Sequence, residues 1–149
     1  MDVRELYQST ILDHNKRPRN FRVPEAANRE ARGNNPLCGD QLTVYLDVED
    51  GTVRDVGFQG SGCAISKASA SLMTEAVAGR SLADVEALFE RFHGLLTSDA
   101  MQPPDLEGLG KLAVFSGVRE YPVRVKCATL PWHTVRAAAR GDAAVVKTE

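Results

Sequence analysis

The stretch Leu42–Phe58, LTVYLDVEDGTVRDVGF, decides the fold class of this chain. Leu42, Val44 and Leu46 alternate with Thr43, Tyr45 and Asp47, the period-two pattern of a strand with one face buried. Glu49-Asp50-Gly51 then supplies residues that tolerate a tight hairpin turn. Val53 to Phe58 returns as a second strand, which predicts an antiparallel pair. Its alternation slips between Asp55 and Gly57, where a bulge is expected.

Towards the C-terminus, Gly60-Ser61-Gly62-Cys63 forms a short loop that opens into a helical face of Ile65, Ala68, Leu72 and Ala76, closed by Gly79. Ser81 with Asp84 marks the start of a further helix through Val85, Leu88, Phe89 and Phe92 to about Leu96. Leu106 to Phe115 reads as helical and Tyr121 to Val125 as short and extended. Ala128 to Arg140 reads as a final helix with Pro131 in its first turn. Towards the N-terminus, the chain from Asn20 to Asn35 is polar and irregular. Val3, Leu6, Tyr7, Thr10, Ile11 and His14 mark an amphipathic helix, ended by Lys16-Arg17-Pro18-Arg19-Asn20. The expectation is a single α+β domain over residues 1–149, with a small antiparallel sheet packed against several helices.

Composition narrows the function. A chain of 149 residues with 43% hydrophobic and 26% charged side chains can bury a core without disulfides. Its net charge of −2 gives no electrostatic basis for binding nucleic acid. The opening MDVRELY is charged where an export signal is apolar, and no apolar run approaches membrane-spanning length. Both predict a cytoplasmic protein without a membrane partner. Three cysteines make an odd number, so a disulfide framework is not expected; free thiols or metal ligands remain.

Cys38 lies in Asn34–Asp40, NNPLCGD, where Asn, Pro and Gly favour irregular backbone and Gly39 lets Cys38 and Asp40 turn towards one point. Cys63 and Cys127 also fall at expected junctions, each at a helix start, where the helix dipole favours thiolate. Three thiolates and the Asp40 carboxylate would complete a tetrahedral zinc shell. The gaps between them are long, so spacing alone leaves three unrelated buried thiols as an equal reading. Arg124 and Lys126, read on an extended segment, share a side and would offset the charge of such a centre; ordinary solvated cations are the alternative. His14 suits an interface or a cap better than a ligand, His93 and His133 have no cysteine neighbour at ligand spacing, and Ser66, Ser69 and Ser71 suit close helix packing.

Four segments together resemble the SufU-type branch of the IscU-like iron–sulfur assembly family: LYQSTILDHNKRPRN (Leu6–Asn20), NNPLCGD (Asn34–Asp40), GSGCAISKASASLM (Gly60–Met73) and YPVRVKCATLPW (Tyr121–Trp132). The resemblance implies an α+β fold and metal ligands Cys38, Asp40, Cys63 and Cys127, and it matches Arg124 to a motif arginine. Scaffold members carry a His before the last Cys, whereas this chain has Lys126. The segment FERFHGLLTSDAMQPPDLEGLG also resembles the insertion of the SufU branch. That branch implies a zinc-dependent sulfurtransferase, with Cys38 accepting persulfide sulfur from a SufS-type cysteine desulfurase and SufBCD-type scaffold proteins as possible downstream partners. The alternatives are a scaffold that assembles and donates iron–sulfur clusters, and a zinc-stapled interaction module.

Overall fold

The computed structural model describes residues 3–142 and 145–148, with side chains described from Gln8 onwards. Helix α1 spans Val3–Lys16, and the expected inward positions Val3, Leu6 and Tyr7 lie outside the described side chains. Strands β1 (Arg29–Asn35), β2 (Asp40–Glu49) and β3 (Thr52–Ser61) follow, then α2 (Ala64–Val77) and α3 (Leu82–Leu96). A 3-10 segment (Gly110–Glu120), the long helix α4 (Pro122–Arg140) and a short β4 (Val146–Lys147) complete the chain.

The sheet has the order β3-β2-β1-β4. Its first three strands are antiparallel and β4 lies parallel to β1, so the small antiparallel sheet predicted from the sequence is the larger part of a mixed one. The hairpin stands where the sequence puts it, with Asp50 and Gly51 both in the left-handed region, at φ 53° and 74°. That pair of conformations matches the twist of the flanking strands. Register shifts between Asp47, opposite Asp55, and Val48, opposite Val53. Arg54 is therefore the extra residue, just before the predicted slip, and the bulge lets Val53 and Val56 both face the core.

Leu42, Val44 and Leu46 of β2 and Val53, Val56 and Phe58 of β3 bury their side chains in the core with α2 and α4. Trp132 is fully buried and stacks on Phe92, ring centroids 4.7 Å apart, while Phe115 meets Phe92 edge-on at 5.7 Å. These rings join α4, α3 and the 3-10 segment. Ser81 caps α3 by accepting the Asp84 N–H at 3.1 Å, as its sequence predicts. The turn after α1 is tied to α2: Ser71 Oγ accepts the Arg19 N–H at 2.8 Å and pairs with His14 Nδ1 at 2.7 Å, and Asn20 donates to Thr74 Oγ1 at 2.9 Å. His14 is thus a buried structural link. No helix among the described residues is long and apolar enough to cross a membrane.

Three sequence expectations are corrected. Leu106–Phe115, read as helical, opens as a turn that leads into the 3-10 segment Gly110–Glu120. Arg29–Asn35, read as irregular, is β1. Its inward residues are Ala31, Gly33 and Asn35, too small or polar to register as a hydrophobic pattern. They are small because α4 passes close by: a Cβ on Gly33 would lie 2.2 Å from Thr134 Oγ1. Tyr121–Val125, read as extended, contains the start of α4, with Pro122 in its first turn. Pro131 therefore lies inside the helix, where its missing N–H leaves the Cys127 carbonyl without an i+4 donor. The neighbouring Ala128 carbonyl accepts the Ser69 hydroxyl at 2.5 Å, and Val125 and Leu130 carbonyls accept Thr129 and Thr134 hydroxyls at 2.8 and 2.7 Å.

Candidate metal centre

The cysteines come together where three connections meet. Cys38 sits in the turn between β1 and β2, which closes on Asn35: its carbonyl accepts the N–H groups of Cys38 (3.2 Å) and Gly39 (2.9 Å), and its Oδ1 accepts that of Leu37 (3.2 Å). Gly39, at φ 73°, makes the left-handed step that returns the chain to β2. Cys38 is exposed, next to Leu37 at 66% exposure. Asp40, the first residue of β2, is wholly buried.

Cys63 is the N-cap of α2, as expected. It is half-buried, its sulfur accepts the Ser66 N–H at 3.4 Å, and its own N–H donates to Asp40 Oδ1 at 2.8 Å. The sequence places Cys127 before the last helix; the structure places it inside α4 and buried at 3% exposure. Its expected bias towards thiolate is reversed. Burial first, then hydrogen bonding with Asp40 and Cys38 and the negative field of Cys63, push its thiol far above the ordinary cysteine value. In the bare protein Cys127 is therefore a thiol, and only a bound cation would make it a thiolate near neutral pH.

One ligand atom from each of Cys38, Asp40 and Cys127 lies within 4.8 Å of the others. The Cys38 and Cys127 sulfurs are 3.5 Å apart, and the Cys63 sulfur is 3.8 Å from Asp40 Oδ2. Zn–S bonds of about 2.3 Å at tetrahedral angles put ligand atoms roughly 3.5–3.8 Å apart, so these two separations suit such a shell, while Cys63, close to Asp40, stands outside the group that Cys38, Asp40 and Cys127 form. The electrostatics agree. Asp40 is a buried carboxylate with no cationic side chain paired to it among the described residues, a costly arrangement that a cation among the three thiols would relieve.

Arg124 and Lys126 do not share a side, because their segment is helical and residues two apart point about 200° apart. The exposed Arg124 lays its guanidinium over the Tyr121 ring, 4.8 Å from the centroid, and Lys126 faces a cavity flanking α4. Two further residues shape the centre. Asn35 is fully buried with its Nδ2 3.8 Å from the Cys127 sulfur, and its place at the head of the NNPLCGD turn was the available signal. Gly62 is the other: a Cβ there would lie 2.7 Å from Asp40 Oδ1.

The cysteine-and-aspartate cluster thus lies at the meeting of a β-hairpin turn, a helix cap and a long helix, and comparisons with known proteins give the family that carries it. Residues 6–128 match the profile of the NifU-like N terminal domain, and the chain belongs to that family. It is 38% identical over 130 residues to the zinc-dependent sulfurtransferase SufU of Bacillus subtilis, covering 85% of this chain and 84% of that protein. It is 33% identical over 141 residues to the iron–sulfur cluster assembly scaffold protein IscU of Streptococcus pyogenes, covering 95% and 87%. A crystal structure named for a SUF-system scaffold protein of Fervidobacterium islandicum superposes with a TM-score of 0.81 at 32% identity, over 91% of this chain and 97% of that one.

Proposed function

We propose that this chain is a zinc-dependent sulfurtransferase that takes persulfide sulfur from a SufS-type cysteine desulfurase for iron–sulfur cluster assembly in the cytoplasm. Cys38, Asp40, Cys63 and Cys127 would hold the metal. Bound zinc would keep the thiols deprotonated without offering redox chemistry of its own. The observation that carries the reading is the contrast between exposed Cys38 on a turn and buried Cys127, 3.5 Å behind it. A partner can reach only the first of these two sulfurs.

In the transfer, the Cys38 thiolate attacks the outer sulfur of the partner's persulfide. A sulfur–sulfur bond forms at Cys38, the partner's sulfur–sulfur bond breaks, and the partner's cysteine leaves as thiolate; nothing else is oxidised or reduced. Asp40, held by the Cys63 N–H, and buried Cys127 keep the other side of the centre fixed while Cys38 is approached. Relatives named as scaffolds support a second reading, cluster assembly on the same thiols. Lys126, standing where the resembled scaffolds carry His, favours transfer.

The test combines metal analysis of the purified protein with desulfurase turnover and mass spectrometry. Zinc near one per chain, stimulated turnover and an added sulfur on Cys38 are expected. Added sulfur on Cys63 or Cys127 alone, or bound clusters without stimulation, would overturn the reading. Asp40→Asn keeps the turn and removes the anion, so zinc affinity and stimulation should both fall; parental values for both would remove Asp40 from the metal.

A further inference from the structure

A cavity of about 510 Å³ opens between α4, the end of α3 and β4, and none of the cysteines lines it. In a chain of net charge −2, this cavity is lined by Arg119, Lys126 and Lys147 and by no Asp or Glu. Neither lysine has an ion-pair partner among the described residues. The cavity therefore concentrates uncompensated positive charge.

Its hydrogen-bonding capacity is equally specific. Arg119 is held in place by donating through Nε to the Ser116 carbonyl (3.0 Å) and through Nη1 to Ser98 Oγ (3.1 Å) and the Asp99 carbonyl (3.0 Å), and its Nη2 has no partner among the described residues. The lining hydroxyls have already spent their protons on backbone carbonyls: Thr97 on His93 at 2.7 Å, Ser98 on Leu95 at 2.6 Å and Thr129 on Val125 at 2.8 Å. What remains for a ligand is cationic donors, hydroxyl lone pairs and the ring nitrogens of His93 and His133, which also line the cavity. Strand β4, which brings Lys147, is fixed by Thr148, whose N–H donates to the Asn34 carbonyl (3.2 Å) and whose hydroxyl donates to the Lys126 carbonyl (3.3 Å).

We propose that this cavity binds a small oxyanion that carries a hydroxyl of its own, such as hydrogen phosphate or a hydroxycarboxylate. The charge goes to the lysines and Arg119, and the ligand's hydroxyl proton goes to a serine or threonine oxygen that cannot donate. The site is separate from the cysteine centre and does not depend on how that centre is read.

Matched probes test it, titrated into the full chain at constant ionic strength and followed by two-dimensional NMR. Phosphate against sulfate, and L-malate against succinate, differ in the hydroxyl. The hydroxyl-bearing member of at least one pair should bind saturably and about threefold to tenfold more tightly than its mate, the value of one neutral hydrogen bond. Phosphate alone would assign inorganic anion, malate alone organic acid. Lys147→Ala, at an exposed position held by its neighbour's backbone, should weaken binding about tenfold with the spectrum otherwise intact. Absence of saturable binding, equal affinity within both pairs, or an unchanged affinity in Lys147→Ala would each overturn the proposal.

Discussion

Replacing Gly62 with alanine should damage the proposed metal centre without touching a proposed ligand. The new Cβ would sit 2.7 Å from Asp40 Oδ1, closer than the atoms can approach, and a tight 3.1 Å from its Cγ. Asp40 is fully buried, so its carboxylate must give way by leaving the Cys63 N–H, which it holds at 2.8 Å. A hydrogen bond to a charged group contributes about 1.5–3 kcal/mol net. If that bond positions the carboxylate for zinc, its loss should lower zinc affinity about tenfold to a hundredfold, the range seen when the partners of metal ligands are removed. Competition against a chromophoric chelator measures this directly. Gly79→Ala is the control. Gly79 has φ 83° and open space around it, so alanine there should cost about 1–2 kcal/mol of stability through backbone strain and leave zinc affinity alone. Parental zinc affinity in Gly62→Ala, or an equal loss in Gly79→Ala, would refute the argument that Gly62 acts through Asp40.

The indole N–H of fully buried Trp132 has no hydrogen-bond partner among the described residues, so Trp132→Phe removes an unsatisfied donor and should shift stability by no more than about 1 kcal/mol, whereas Trp132→Ala should cost about 3–5 kcal/mol in urea melts. Burial, then His93 and Arg136, lower the His133 pKa from 6.5 to about 4. The native state therefore binds fewer protons than the unfolded one; the stability this gives is complete above pH 6.5 and is lost as pH falls towards about 4. After discounting for partial exposure it amounts to about 1–2 kcal/mol, and His133→Gln should flatten that part of the curve of melting temperature against pH. A slope between pH 6.5 and 4 unchanged in that variant would assign the acid sensitivity elsewhere, with His14 the next group to test because burial lowers its pKa too.

The hairpin, the first three helices and the cap at Ser81 were legible because each rests on local chemistry: alternation, turn residues with left-handed φ, and a side chain bonding its own helix end. Strand β1 was not legible, since its inward face is Ala31, Gly33 and Asn35, and what selects those residues is the closeness of α4, a long-range fact. The start of α4 was hidden by valines at 123 and 125 and by Pro131, a residue that more often opens a helix than interrupts one. That error carried into the site. Cys127 looked like a junction thiol because the helix seemed to begin after it, and the sign of its acidity followed the misplaced boundary. The grouping of Cys38, Asp40, Cys63 and Cys127 was expected from the chemistry of the residues and from resemblance; the fold brings ligand atoms of Cys38, Asp40 and Cys127 within 4.8 Å of one another, and Cys63 stands beside Asp40 but outside that group.

The proline inside α4 has a mechanical consequence. The helix is a ladder with one rung missing, and the open end of that rung is the Cys127 carbonyl. Above the gap lie the exposed Tyr121 and Val123, on the part of the helix a visitor can grip; below it Trp132 is locked among rings. An interior proline is where a helix kinks most readily, so the gap is the weakest point of this one. The third cysteine therefore sits at the open rung, between an exposed handle and a locked anchor, and its own burial is what keeps its sulfur in place there.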